Sequence, residues 1–231
     1  MSSQNASRAD DDARADAKTP RRERGRARVA ALLDAAGAEF AEKGFDAATM
    51  TAIAARAGAS IGSLYQFFPT KDVLADALLE AYLATLIGDL QQLREEAPTL
   101  DAAGLAHRLA PALIAFRTAH PAFAPLVETP GRSLPAAVGV RQRLRGEIAA
   151  VLCAKAPGMK TAEAQVRAAV VQQLMKAAIA IHGETSFAHR AAVIDELERM
   201  MAGYLEEMFR GADQDSKAAA AKLSRKPLRS R

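Results

Sequence analysis

The chain holds one cysteine, Cys153, and no tryptophan. A lone thiol closes no intrachain disulfide and builds no cysteine-rich metal site, which agrees with a reducing cytoplasm. The histidines, His107, His120, His182 and His189, follow no HExxH or other metal-ligand spacing, so no metal is expected. Paired carboxylates, a nucleophile–base set and a phosphate-cradling glycine loop are all missing, so neither enzymatic activity nor a cofactor is expected. No apolar run reaches the roughly 18 residues of a membrane span, and the polar N-terminus lacks the apolar stretch of a signal peptide. A cytoplasmic protein without a membrane partner is the expectation. Aromatic residues make up only 5%. No segment alternates apolar and polar residues with period two, which argues against strands.

Alanine, by contrast, is abundant, and alanine is the best helix former. Apolar residues reach 50%, enough for a sizeable core. The net charge of +4 is concentrated at the ends. Within residues 18–28, Lys18, Arg21, Arg22, Arg24, Arg26 and Arg28 stand against Glu23 alone, and residues 217–231 carry lysine and arginine with no acid. Residues 1–20 and 211–231 have too few large apolar residues for a core and are expected as disordered tails, the second of them basic.

Between the tails the pattern is helical. Val29, Leu32, Leu33, Ala36 and Phe40 form a stripe at steps of three and four, and Gly44 after Lys43 stops that helix. A short helix is predicted over 49–57 with Thr49 as its cap, then a break at Gly58. Another follows from Ser60 to Phe67, and after Pro69 a longer helix starts near Lys71, capped by Thr70. Residues 95–100 read as a linker. Further helices are predicted over about 101–119, 134–155, 161–182 and 187–210, with a short segment of unassigned type around 121–127. The fold class is therefore all-α.

Residues 49–71, TMTAIAARAGASIGSLYQFFPTK, put two short helices on either side of Gly58-Ala59-Ser60. Glycine supplies the left-handed backbone that such a corner needs. Ile53, Ala54, Ala57, Leu64 and Phe68 would pack inside. Ser60, Gly62, Ser63, Tyr65 and Gln66 would lie on an exposed face that suits a major groove.

The run GASIGSLYQFFPTKDVLADAL resembles the recognition-helix signature of TetR-family regulators, GVSxGxLYxxFxxKExL, and the preceding AAGAEFAEKGFDAATMTAIAARAG fits the same pattern. The resemblance implies a DNA-binding domain over 21–72, a three-helix helix-turn-helix with its basic arm. It implies an effector-binding and dimerisation bundle over 73–210. Thr49, Ser60, Tyr65 and Lys71 would meet phosphates. Gly62 would permit close approach, so that Ser63 and Gln66 reach backbone or base edges. Arg26 and the arm before it would follow the backbone or enter the minor groove. Ile61 stands where many members have lysine or another polar residue, so contact with a thymine methyl would replace a polar one. Phe67 stands where histidine or tyrosine is common, which removes one phosphate hydrogen bond.

The resemblance also implies a pocket for a small-molecule effector of unspecified identity; Phe116, His120, Phe123, Met175 and Ile179 are the candidates. Val193, Leu197, Met201, Tyr204, Leu205 and Met208 form a stripe expected at the homodimer interface. The implied function is a repressor, released from palindromic double-stranded DNA by the effector. An activator or ligand-independent regulator on the same fold, or a non-specific architectural DNA binder, is the alternative.

Overall fold

The computed structural model describes residues 4–127 and 135–224, and no strand occurs among them. The order is α1 (Gln4–Ala47), α2 (Met50–Arg56), α3 (Ile61–Phe67), α4 (Lys71–Glu96), a 3₁₀ turn (Ala97–Thr99), α5 (Ala102–Ala119), α6 (Phe123–Val127), α7 (Pro135–Lys155), α8 (Thr161–Gly183) and α9 (Arg190–Ser224). The all-α class is thus observed. Residues 4–20 and 211–224, expected within disordered tails, are helical. A helix satisfies its backbone within its own segment, so an alanine-rich stretch can be helical without large side chains to bury. Residues 1–3 and 225–231 of those tails, and Leu134 as a helix start, lie outside the described residues.

The chain divides into two compact units. The first contains α1, α2, α3, α4 through Leu79, and α6. Its core is built from Leu32, Ala36 and Phe40 of α1, Ile53 and Ala54 of α2, Leu64 of α3, and Leu74, Leu78 and Leu79 of α4. The stripe on α1 is buried at Leu32, Ala36 and Phe40, with Val29 and Leu33 partly exposed. Gly44 interrupts α1 with φ 74° and ψ 165°, where the sequence places the stop. Gly58 has φ 62° at the corner between α2 and α3. Both lie in the left-handed region that suits glycine.

One lysine ties this unit together. The Lys71 ammonium donates to the carbonyls of Phe45 (2.7 Å), Asp46 (3.1 Å) and Ala48 (2.8 Å). It also lies 4.6 Å from the centroid of the Phe45 ring, which itself stacks on Phe40 at 5.3 Å. The first residue of α4 thus holds the loop that leaves α1. A second clasp joins α1 to α2. Glu39 is 2% exposed and is paired with Lys43 and with Arg56 at 3.3 Å. Arg56 also donates to both oxygens of Glu42, and this hydrogen bonding holds the Glu42 carboxyl below its ordinary pKa.

The second unit contains α4 from Glu80, α5, α7, α8 and α9. Leu105, Leu109, Leu113 and Phe116 of α5 face inward, with Ile148, Val151 and Leu152 of α7 and Ala164, Ala168, Val171, Met175 and Ala178 of α8. Buried Gln172 is satisfied by donating to the Arg141 carbonyl (3.3 Å) and accepting from Arg145 (3.4 Å). α9 packs on α5 and α8. Met201, Leu205 and Met208 are consequently buried within the protomer at 1%, 0% and 4% exposure. These three residues of the stripe expected at the dimer interface thus cover the chain's own core. Val193, Leu197 and Tyr204 stay partly exposed.

Two stability outcomes follow. Lys71→Met should remove about 2–3 kcal/mol from unfolding in urea, since three carbonyls lose a charged donor; an unchanged midpoint would contradict the clasp. A Cβ at Gly58 would meet nothing within 4 Å. Gly58→Ala should therefore lose only the left-handed backbone penalty, about 1 kcal/mol, read as a lower midpoint with an unchanged slope.

Candidate nucleic-acid interface and effector cavity

α3 is anchored at two points. Leu64 is fully buried and Phe68, just beyond the helix, is 6% exposed. Ser60, Ile61, Gly62, Tyr65, Gln66 and Phe67 are exposed, and Ser63 is partly so. A seven-residue helix is too short to persist alone, so burial of Leu64 and Phe68 fixes its orientation and turns the remaining residues outward. The helix starts are capped by hydroxyls. Thr49 accepts from the Ala52 amide, Ser60 from the Ser63 amide and Thr70 from the Val73 amide, each at 3.2 Å. An accepting hydroxyl still has its own proton to donate.

The expected DNA contacts separate into two groups on this geometry. Thr49, Ser60, Ile61, Gly62, Ser63, Tyr65, Gln66 and Phe67 lie on α3 or at the starts of the two short helices, and Arg26 is exposed on α1. A Cβ at Gly62 would meet nothing, so the protein's own packing makes no demand for glycine there. Ile61 and Tyr65, one turn apart, are 39% and 49% exposed. Lys71 is different. Its ammonium is directed to three backbone carbonyls, which accounts for its donors without a phosphate. Arg28, named in the sequence only as part of the basic arm, meets α3: its guanidinium donates to the Ser63 hydroxyl at 3.3 Å. A charge count along the arm does not reveal that pairing, which joins residues 35 apart.

Of the effector candidates, Phe123 lies on α6 in the first unit and is buried there. Phe116, His120, Met175 and Ile179 belong to the second unit. His120 ends α5 and is flanked by the rings of Tyr82 (4.3 Å) and Phe116 (4.8 Å). Burial holds its imidazole below the ordinary histidine pKa, against the opposing pull of the Asp89 carboxylate. Met175 lines a cavity of about 170 Å³ among α4, α5 and α8, with Leu86, Leu90, Leu93, Leu109 and Leu113, and with Asp89, Gln92 and Arg108 as polar members. The periodicity of apolar residues along α4 does not by itself distinguish a core from a cavity wall. Among the described residues no group of histidine, cysteine, aspartate and glutamate could hold a metal. None of the described helices is long and apolar enough to cross a membrane.

Known proteins share both halves. Residues 32–78 match the model of bacterial regulatory proteins of the tetR family, and residues 102–205 match the tetracyclin repressor-like C-terminal domain. The HTH-type transcriptional repressor KstR2 of Rhodococcus jostii (strain RHA1) is 40% identical over 62 residues, which span 27% of this chain and 30% of that protein. Two solved structures have the same fold at low identity. The fatty acid degradation regulator FadR of Bacillus halodurans aligns with TM-score 0.57 and 16% identity, covering 75% of this chain and 97% of that one. FadR of Bacillus subtilis in complex with stearoyl-CoA aligns with TM-score 0.60 and 13% identity, covering 74% and 96%. With its exposed, doubly anchored α3 and a matching family model in each half, the chain belongs to the TetR family of bacterial transcriptional regulators.

Proposed function

We propose that the protein is a dimeric repressor that reads a palindromic operator with α3 and leaves it when a small effector binds the second unit. The observation that carries this reading is α3 itself. Leu64 and Phe68 fix the helix while Ile61, Gly62, Tyr65 and Gln66 remain exposed for a major groove. Ser63 and Gln66 supply hydrogen-bond groups for bases, and Ile61 offers an apolar surface to a thymine methyl. Thr49, Ser60 and Tyr65 hold the register on phosphates. Phe67 adds apolar contact. Lys71 is withdrawn from the phosphate contacts, given its carbonyl partners. The repressor named among the relatives supports the direction of regulation. In this reading the protein works in the cytoplasm.

For the effector, the cavity beside Met175 and the neighbouring His120 cluster are the proposed site. Its wall is mainly leucine with a few polar groups, the usual make-up of a ligand pocket. At about 170 Å³ it must enlarge to take any but a small ligand, because ligand pockets generally run to about 300 Å³ or more. That enlargement gives the ligand a preference for a second conformation, which is what release requires. The stearoyl-CoA complex of the Bacillus subtilis protein supports a ligand role for this fold.

The proposed dimer face lies on the outer side of α8 and α9. Val166, Val170 and Met200 are 64%, 39% and 56% exposed. Val166 and Val170 are one turn apart on α8. Arg167 between them bonds the Tyr204 hydroxyl of α9 at 3.4 Å, so the two helices present one surface. On a palindromic operator the α3 helices of the two protomers would enter major grooves one helical turn of DNA apart, near 34 Å.

Selection of duplexes from a random library at physiological salt should enrich an inverted repeat. Retention without any enriched motif would favour an architectural binder and reject this reading. On the selected operator, changes at Ser63 or Gln66 should reorder preference among sequences, whereas Tyr65→Phe should weaken all sequences alike. Val166→Glu with Met200→Glu should give a folded monomer by sedimentation, with operator affinity at least tenfold lower. Leu205→Ala should instead destabilise the protomer by about 2–5 kcal/mol. A dimer that survives both glutamates would place the interface elsewhere.

A further inference from the structure

The cavity beside Met175 has a definite order along its length. α4 and α5 run antiparallel: Glu96, the last residue of α4, pairs with Arg108 in the first half of α5, whereas Tyr82, earlier on α4, packs against His120 at the end of α5. Gln92 and Arg108 therefore stand at one end of the cavity, and Leu86 and Leu113 lie towards the rings of Tyr82 and His120 at the other. Asp89 lines the wall between them.

The charges of this wall do not balance. Arg108 is matched by Glu96, which also accepts from the Gln92 amide at 3.3 Å. The bond from Arg108 holds the Glu96 carboxyl below its ordinary pKa, so at pH 7 the two form an ion pair with no net charge. His120 is neutral at that pH, because burial lowers its pKa. Asp89 is left over. Among the described residues its carboxylate has no hydrogen-bond or ion-pair partner. Its influence is felt at His120, where it opposes the effect of burial.

An apolar cavity with one unmatched carboxylate selects its ligand by charge. Tyr82 and Asp89 are seven residues apart, close to two full turns, so they share one face of α4. A group seated against Asp89 thus adjoins the ring cluster, where the neutral imidazole of His120 keeps one accepting nitrogen. A primary ammonium, with three donors, no acceptor and one positive charge, fits both groups. A ligand carboxylate would meet Asp89 as a like charge. An alcohol would make only neutral-donor bonds, about half as strong as those in which both groups are ionised.

We propose that this cavity takes a small apolar monoamine, bound through its ammonium by Asp89, with its hydrocarbon part among Leu86, Leu90, Leu113 and Met175. The inference rests on the reading of this cavity as the effector site and names the class of molecule it accepts. The net charge of +4 on the chain disfavours cations in general. A preference for an amine would therefore come from the site and not from the surface.

Titration calorimetry of the full-length protein at pH 7 should compare hexylamine, hexan-1-ol and hexanoate, which carry similar tails. Hexylamine should bind at least tenfold more tightly than hexan-1-ol, and hexanoate more weakly than either. Asp89→Asn, nearly isosteric and on an exposed position, should cost hexylamine at least tenfold and leave hexan-1-ol within threefold. Ala112→Leu, which fills the cavity from α5, should abolish binding of both, and thermal melting should show both variants folded. Tightest binding by hexanoate, equal binding of the three, or an amine preference that survives Asp89→Asn would overturn the amine class and leave the cavity as a ligand site. Binding of none of them, or binding untouched by Ala112→Leu, would overturn the cavity as the effector site and the amine class with it.

Discussion

The ammonium of Lys71 and the three carbonyls it caps hold the N-terminal unit in its shape. Phe45, Asp46 and Ala48 follow the break at Gly44, and their backbone oxygens point to the first residue of α4. Everything between these points, α2, the Gly58 corner and α3, is a loop of chain whose ends are fastened together. The two helices in that loop have seven residues each, too few to pay the cost of nucleation unaided. They persist because the loop is closed and because Ile53, Ala54, Leu64 and Phe68 are buried in its interior. The exposed surface of α3 is the remainder after those anchors are placed. A cation at Lys71 is thus structural first, whatever field it adds at the DNA face.

Charge is sorted by the same geometry. Arg56 belongs to the carboxylates of Glu39 and Glu42 and acts as a strut between α1 and α2. Arg28 is handed to α3 through Ser63. Two arginines of one small unit thereby have opposite uses, one turned into the fold and one towards the surface.

In the second unit the constraint is helix packing. α8 carries Ala164, Ala168 and Ala178 towards its neighbours, and such small side chains let helices approach closely. α9 then covers α5 and α8 with Met201, Leu205 and Met208. The apolar residues left outside on α8 and α9, Val166, Val170 and Met200, are less regular in spacing than the buried stripe. A periodic stripe marks the buried side of a helix but does not say what buries it, which is why a protomer core and a partner face could not be told apart in α9.

Much was legible from residue order alone. Periodicity showed the all-α class, glycine at 44 and 58 marked the breaks, and hydroxyls at 49, 60 and 70 marked helix starts, because each of these is a local property of the backbone. The two anchors of α3 were legible for the same reason, since Leu64 and Phe68 are one helical turn apart. Tertiary structure alone decided the partners. It assigned Lys71 to carbonyls, Arg28 to Ser63, and Met201, Leu205 and Met208 to the protomer core. Those choices depend on which distant residues meet across the fold, and the spacing of neighbours along a chain carries no record of that.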